Sequence, residues 1–229
     1  WLYNINPSEI KSLKMVLERV QGVKEFRLSS KRSSTVKKAE TPFLFGEIRD
    51  FGNEFIVVPR VSSENRKYIP IGFFSDDYVV SDTMLAIPNA STYNFGVLTS
   101  EMHMAWVKYT CGRLKSDYRY SKDLVYNNYP WPLDPTEKQK EKVEIAAQKV
   151  LDVREEFQDS SLADLYDPLT MPPKLLKAHQ ELDKAVDQCY RKKAFNSETE
   201  RIELLFDLYS QYTSGMFQEE KSKKKRGRK

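Results

Sequence analysis

Between Gly112 and Pro132 the cations Arg113, Lys115, Arg119 and Lys122 stand among Tyr118, Tyr120, Tyr126, Tyr129 and Trp131, with Lys108 just upstream. Guanidinium and ammonium groups beside Tyr, Ser and Asn form the mixture that grips phosphates and reads base edges. Lys115 and Asp117 lie two apart, so in an extended segment both would point the same way. A lysine can donate to guanine O6 and N7, an aspartate can accept from cytosine N4, and a G·C pair presents both partners in the major groove. Lys115 and Asp117 are therefore the base-reading candidates. The competing reading is a surface ion pair contributing ~0–1 kcal/mol. Arg113, Arg119 and Lys122 suit phosphate contacts, which position without specifying. Lys31 and Arg32 join them from a Ser- and Lys-rich stretch, 29–41, that reads as a solvated basic loop or a second phosphate contact. Tyr118, Tyr120 and Trp131 read as packing rather than as base-stacking platforms.

Other chemistries find no support. Gly-x-Gly does not occur among the eight glycines, which removes the dinucleotide fingerprints and the Gly-rich loop of an S-adenosylmethionine site, and there is no Walker loop. Cys-x-x-Cys, a second histidine at ligand spacing and a Gly-x-Ser-x-Gly elbow are all missing. His103 reads as a packed histidine. We expect no catalytic residue, no cofactor site and no metal ligand in the chain.

The elements that must position these residues change in texture along the sequence. Asn6-Pro7-Ser8-Glu9 reads as a helix start, and Ile10, Leu13, Leu17 and Val20 follow at helical spacing until Gly22. Val23–Leu28, Phe43–Ile48, Glu54–Val61, Tyr68–Phe74 and Tyr78–Ile87 read as strands, with Pro59, Pro70 and Pro88 marking edges. Asn94–Cys111 reads as one helix. After Pro130-Trp131-Pro132 the pattern is helical, with starts at Asp134-Pro135-Thr136-Glu137, after Pro172 and at Ser197-Glu198-Thr199-Glu200. The expected fold class is α+β. A mixed or antiparallel sheet domain with packed helices (1–132) precedes a small helical bundle (133–220) and a disordered basic tail (221–229). Pro130–Pro132 would join two separate compact units.

Charge divides along the same lines. Residues 1–132 carry +4, residues 133–220 carry −7 and residues 221–229 carry +7, while 11–38 alone holds nine cations against two acids. A polyanion would prefer the first segment and be repelled by the second. No apolar run approaches the roughly 20 residues that span a bilayer, and no signal peptide is visible, so a cytoplasmic location with Cys111 and Cys189 reduced is expected. The chain opens on Trp1 rather than methionine, which points to a segment of a longer polypeptide.

Six stretches together carry a resemblance: Tyr68-Ile-Pro-Ile-Gly-Phe-Phe, Ser100-Glu-Met-His-Met-Ala-Trp, Gly112-Arg-Leu-Lys-Ser-Asp-Tyr-Arg-Tyr-Ser, Tyr126-Asn-Asn-Tyr-Pro-Trp-Pro, Leu165-Tyr-Asp-Pro-Leu-Thr-Met-Pro and Lys177-Ala-His-Gln-Glu-Leu-Asp. They resemble the C-terminal part of the MmeI-like restriction–modification DNA methyltransferases. That family runs nuclease, helical connector, adenine-N6 methyltransferase, target recognition domain and C-terminal helical domain. The resemblance spans nearly the whole chain except the basic tail. The family's Asn-Pro-Pro-aromatic catalytic motif, its cofactor loop and its nuclease motif are not in this sequence. The resemblance therefore implies a non-catalytic module that holds double-stranded DNA for a methyltransferase domain of the same polypeptide, which would carry the S-adenosylmethionine. It also implies that the positions of Lys115 and Asp117 form a charge pair varying with the base pair read. The rival reading is a protein-interaction module whose acidic bundle docks on a partner without reading bases.

Overall fold

Asn6, Pro7 and Glu9 open α1 (Pro7–Ser12) as their types require: the Asn6 carboxamide oxygen accepts the Ser8 N–H at 3.0 Å, and Pro7 takes the first helical position. The computed structural model describes residues 2, 3 and 5–226, with side chains described through residue 214. The chain forms two compact units, Trp1–Asp50 and Phe51–Lys229.

In the first unit Leu13 interrupts the helix and α2 (Lys14–Leu28) follows. Gly22 does not end it. Beyond its chain neighbours and its own helix backbone, nothing described lies within 4 Å of where a Gly22 side chain would begin, so the residue sits on an open helix face and costs only about 1 kcal/mol against alanine. The strand expected over Val23–Leu28 is therefore helix, in which Lys24, Glu25, Arg27 and Leu28 are strong helix formers and an i,i+4 bond runs from Gln21 to Glu25 at 2.8 Å. The basic stretch 29–41 folds into α3 (Ser33–Lys37) and a 3₁₀ turn (Lys38–Glu40), and Phe43–Ile48 is bent, irregular backbone rather than a strand. Arg27 gathers this connection by donating to the Lys38, Thr41 and Leu44 carbonyls at 2.7, 3.0 and 2.8 Å. Among the described residues of the unit only Ala39 is buried.

Among the described residues the strands all fall in the second unit: β1 (Glu54–Pro59), β2 (Val61–Ser62), β3 (Gly72–Ser75), β4 (Met84–Pro88), β5 (Gly112–Leu114) and β6 (Asp117–Arg119). They make two antiparallel sheets, ordered β3-β1-β4 and β2-β6-β5. Arg60, between Pro59 and Val61, is where the chain leaves one sheet for the other. The helix expected over Asn94–Cys111 is two, α4 (Thr92–Leu98) and α5 (Glu101–Thr110), because Ser100 caps the second with its hydroxyl on the His103 N–H. After α5 come α6 (Glu137–Glu155), α7 (Leu162–Leu165), α8 (Pro173–Tyr190) and α9 (Glu198–Arg226). Thr136, not Asp134, caps α6, in a reciprocal pair with Gln139. The helical backbone of α9 runs into the basic stretch expected to be disordered, since lysine and arginine are themselves helix formers. Residues 227–229 of that stretch lie outside the described ones.

Phe95, Leu98, Met102 and Trp106 share one core with Val143, Ala147, Leu182 and Leu205. Residues on both sides of Pro130–Pro132 are thus packed together, and the compact units divide at Asp50/Phe51. Gly96 lets α4 approach α6: a Cβ there would stand 2.7 Å from Val143 Cγ1 and 3.1 Å from Ala147 Cβ.

A buried polar network crosses this core. The Asp183 carboxylate accepts the Tyr68 hydroxyl at 2.7 Å and the Glu101 N–H at 2.7 Å. Burial, with Glu101 close by, pushes the Asp183 carboxyl up to about 7. Arg154, almost fully buried, donates to the Ile71 carbonyl at 2.8 Å and to the Tyr166 hydroxyl at 2.9 Å, and that hydroxyl also meets His179 Nε2 at 2.6 Å. The His179 ring stacks on Tyr68 with centroids 4.1 Å apart. Three side chains of the helical half therefore grip Tyr68–Ile71, the connection between β2 and β3. No described helix is long and apolar enough to cross a membrane. Cys111 and Cys189 are both free thiols.

Candidate nucleic-acid interface

Leu114 pairs with Asp117 across β5 and β6, which leaves Lys115 and Ser116 as a two-residue turn. Lys115 takes φ 56°, the left-handed backbone that such a turn demands of its first residue. The expected extended segment with Lys115 and Asp117 on one face is therefore a hairpin, with Lys115 at its exposed tip and Asp117 on the returning strand. Asp117 Oδ1 accepts from the Glu64 N–H at 3.4 Å. On β6 the side chains alternate: Tyr118 and Tyr120 are buried, whereas Arg119 is exposed and Asp117 half-buried. Asp117 and Arg119 thus share the outward face, a pairing that spacing alone also allowed.

Arg113 folds back on its own hairpin. Its guanidinium lies 4.2 Å from the Tyr118 ring centroid, donates to the Ser116 carbonyl at 2.8 Å and stands 3.8 Å from a Glu64 carboxylate oxygen. Lys122 is exposed, 3.9 Å from the equally exposed Asp123 carboxylate. Lys31 and Arg32 are exposed between α2 and α3 of the first compact unit. As expected from the sequence, Tyr118 and Tyr120 pack inward. Trp131, half-buried, meets Tyr129 edge-on at 5.5 Å.

An open cleft of about 530 Å³ lies beside β6, lined by Arg60, Arg119 and Lys122 among others. Arg60 was not singled out by sequence reasoning. It is remote from Arg119 in the chain, and only the strand break after Pro59 marks it as the switch between the two sheets. Its backbone carbonyl accepts the Tyr120 N–H at 2.9 Å, and its Nε donates to the Asp82 carbonyl at 3.0 Å. Three exposed cations therefore line one cleft, opposed there by Asp123. Such a surface suits a polyanion whose phosphates are spaced along a groove. Among the described residues, no cluster of His, Cys, Asp and Glu could hold a metal ion.

The model of the MmeI target recognition domain matches residues 1–133, and that of the MmeI C-terminal domain matches residues 135–217. The chain belongs to the MmeI family. The join between its two family domains falls where the sequence turns from strands to helices, within a single packed core. DNA methyltransferase A of Bacillus subtilis (strain 168) is 44% identical to this MmeI-family chain over 213 residues, covering 93% of the chain and 24% of that protein. The solved structure of the Type IIL restriction-modification enzyme MmeI in complex with DNA superposes with a TM-score of 0.80 at 46% identity, covering 93% of this chain and 28% of that one. The chain thus spans about a quarter of the length of these relatives.

Proposed function

We propose that this chain is the sequence-specific double-stranded DNA recognition module of a restriction–modification methyltransferase. The observation that carries the reading is the Arg60–Arg119–Lys122 cleft beside an exposed hairpin, in a chain of the MmeI target recognition family. The methyltransferase domain of the same longer, cytoplasmic polypeptide performs adenine-N6 transfer with S-adenosylmethionine, with or without a fused endonuclease. This chain contributes recognition and no chemistry of its own. A calorimetric titration of the chain with S-adenosylmethionine should show no stoichiometric binding.

Lys115 and Asp117 read one base pair. The hairpin carries a donor at its tip and an acceptor on the returning strand, the two group types that guanine and its paired cytosine call for, which supports the reading. Arg119 and Lys122, joined by Arg113, Lys31 and Arg32, contact phosphates. The test is methylation, by the intact longer enzyme, of its own site and of the site with that base pair inverted. Lys115→Glu or Asp117→Arg alone should lose most specific methylation, since each good contact discriminates by roughly 1–3 kcal/mol. The double variant reverses both charges and should transfer preference to the inverted site. Retention of the original preference by the double variant would show that Lys115 and Asp117 do not read that base pair.

A further inference from the structure

The segment Tyr120–Tyr126, whose residues 120–124 line the cleft, is tied to one face of α5. His103 and Trp106, one turn apart on that helix, each make a buried hydrogen bond to one end of the segment. At the near end His103 Nε2 lies 3.0 Å from the Tyr120 hydroxyl. At the far end Trp106 Nε1 donates to the Val125 carbonyl at 3.1 Å. Between these bonds the chain winds into a π-helical turn, Lys122–Tyr126, capped by the Ser121 hydroxyl and carrying the cleft residues Lys122, Asp123 and Leu124 on its outside. A π turn is a rare, wide winding frequently found at functional sites.

The proton arrangement follows from the partners. His103 Nδ1 lies 2.7 Å from the Leu98 carbonyl, which can only accept, so Nδ1 carries the proton. Nε2 then presents a lone pair and must accept from the Tyr120 O–H. His103 is buried, and burial holds its imidazole down at about 4, so the neutral tautomer persists across working pH. Tyr120 is also fixed at its backbone, through its N–H on the Arg60 carbonyl. Arg119, immediately before it, pairs with Val61 and lines the cleft together with Arg60.

We propose that His103 and Trp106 are positioning residues that fix the π turn and the outward cations, so that Arg60, Arg119 and Lys122 engage phosphates as one array. This rests on the DNA-reading function above, and the experiment separates the two claims. Binding of a 24-base-pair duplex of random sequence is measured against NaCl concentration for the wild type, Tyr120→Phe and Trp106→Phe. A fourth protein, Val150→Ala, truncates a buried residue of α6 away from the cleft and controls for stability. Amide hydrogen exchange of residues 121–126 is followed in all four, with the ¹⁵N shifts of His103 in the wild type. In Tyr120→Phe and Trp106→Phe, affinity should fall about tenfold and the log–log salt slope should shrink by about one. Their 121–126 amides should exchange faster, while Val150→Ala keeps both slope and protection. His103 should show a proton on Nδ1 only.

Failure of the wild type to bind duplex would defeat the DNA-reading function, and positioning would then be decided by exchange alone. Wild-type slope and protection in Tyr120→Phe, equal effects in Val150→Ala, or a proton on Nε2 would each overturn the positioning role.

Discussion

Two polar clusters in the second compact unit invite comparison. Asp183, Tyr68, Arg154, Tyr166 and His179 are buried, and their partners are other groups of the core. Arg60, Arg119 and Lys122 are exposed and line an open cleft. Buried polar groups are costly to desolvate unless satisfied internally, so the first cluster turns its hydrogen bonds inward to hold the core, His179 Nδ1 being the exception. The second cluster stays hydrated, contributes little to folding and keeps its charge for a partner. Substitutions in the core cluster should therefore alter stability and leave the salt dependence of binding alone, while substitutions in the cleft should do the reverse.

The largest stability effect should come from Arg154→Ala. It leaves the Ile71 carbonyl without its donor, removes both donors to the Tyr166 hydroxyl and opens a cavity beside Phe95, for a loss of roughly 3 kcal/mol in urea unfolding. Next comes Asp183→Asn, read against pH. The folded-state carboxyl is raised from the ordinary aspartate range to about 7, so the folded protein binds the proton more tightly than the unfolded chain. Stability should therefore fall as pH rises from about 4 through 7. The asparagine variant should flatten that slope in thermal melts. Gly96→Ala should cost about 1 kcal/mol, the clash with Val143 and Ala147 outweighing the gain in helix propensity. Arg119→Ala should change stability by less than about 0.5 kcal/mol while lowering duplex affinity across all sequences. A large loss of stability there would erase the distinction between the two clusters.

The parts of this arrangement legible in the sequence were those set by local chemistry. Asn6 and Ser197 as caps, the helical run of α8 and the inward role of Tyr118 and Tyr120 follow from neighbouring residues. What escaped depended on remote partners. Apolar periodicity runs smoothly through 94–111, yet Asp183, far along the chain, accepts the Glu101 N–H and helps start a second helix at Ser100. Val23–Leu28 carries β-branched and aromatic residues, but continues a helix whose start lies upstream. Lys115 and Asp117 are correctly two apart. Their relation is set by the register of Leu114 against Asp117, which no local pattern specifies. Arg60 joined the cleft only through the pairing of β2 with β6. The comparison of clusters is likewise invisible in composition, because charged residues of both kinds are spread along the same chain.

The most direct test of the central claim is the salt dependence of duplex DNA binding by the wild-type chain and by the triple variant Arg60→Ala, Arg119→Ala, Lys122→Ala. Fluorescence anisotropy from about 50 to 200 mM NaCl gives log K against log salt, whose slope is about −0.9 per phosphate contacted. If the open cleft grips DNA, the wild type should show a steep slope. The triple variant, folded to the same melting temperature within a few degrees, should lose close to three contacts from it. A slope identical in the two proteins would contradict the cleft as the DNA-binding surface.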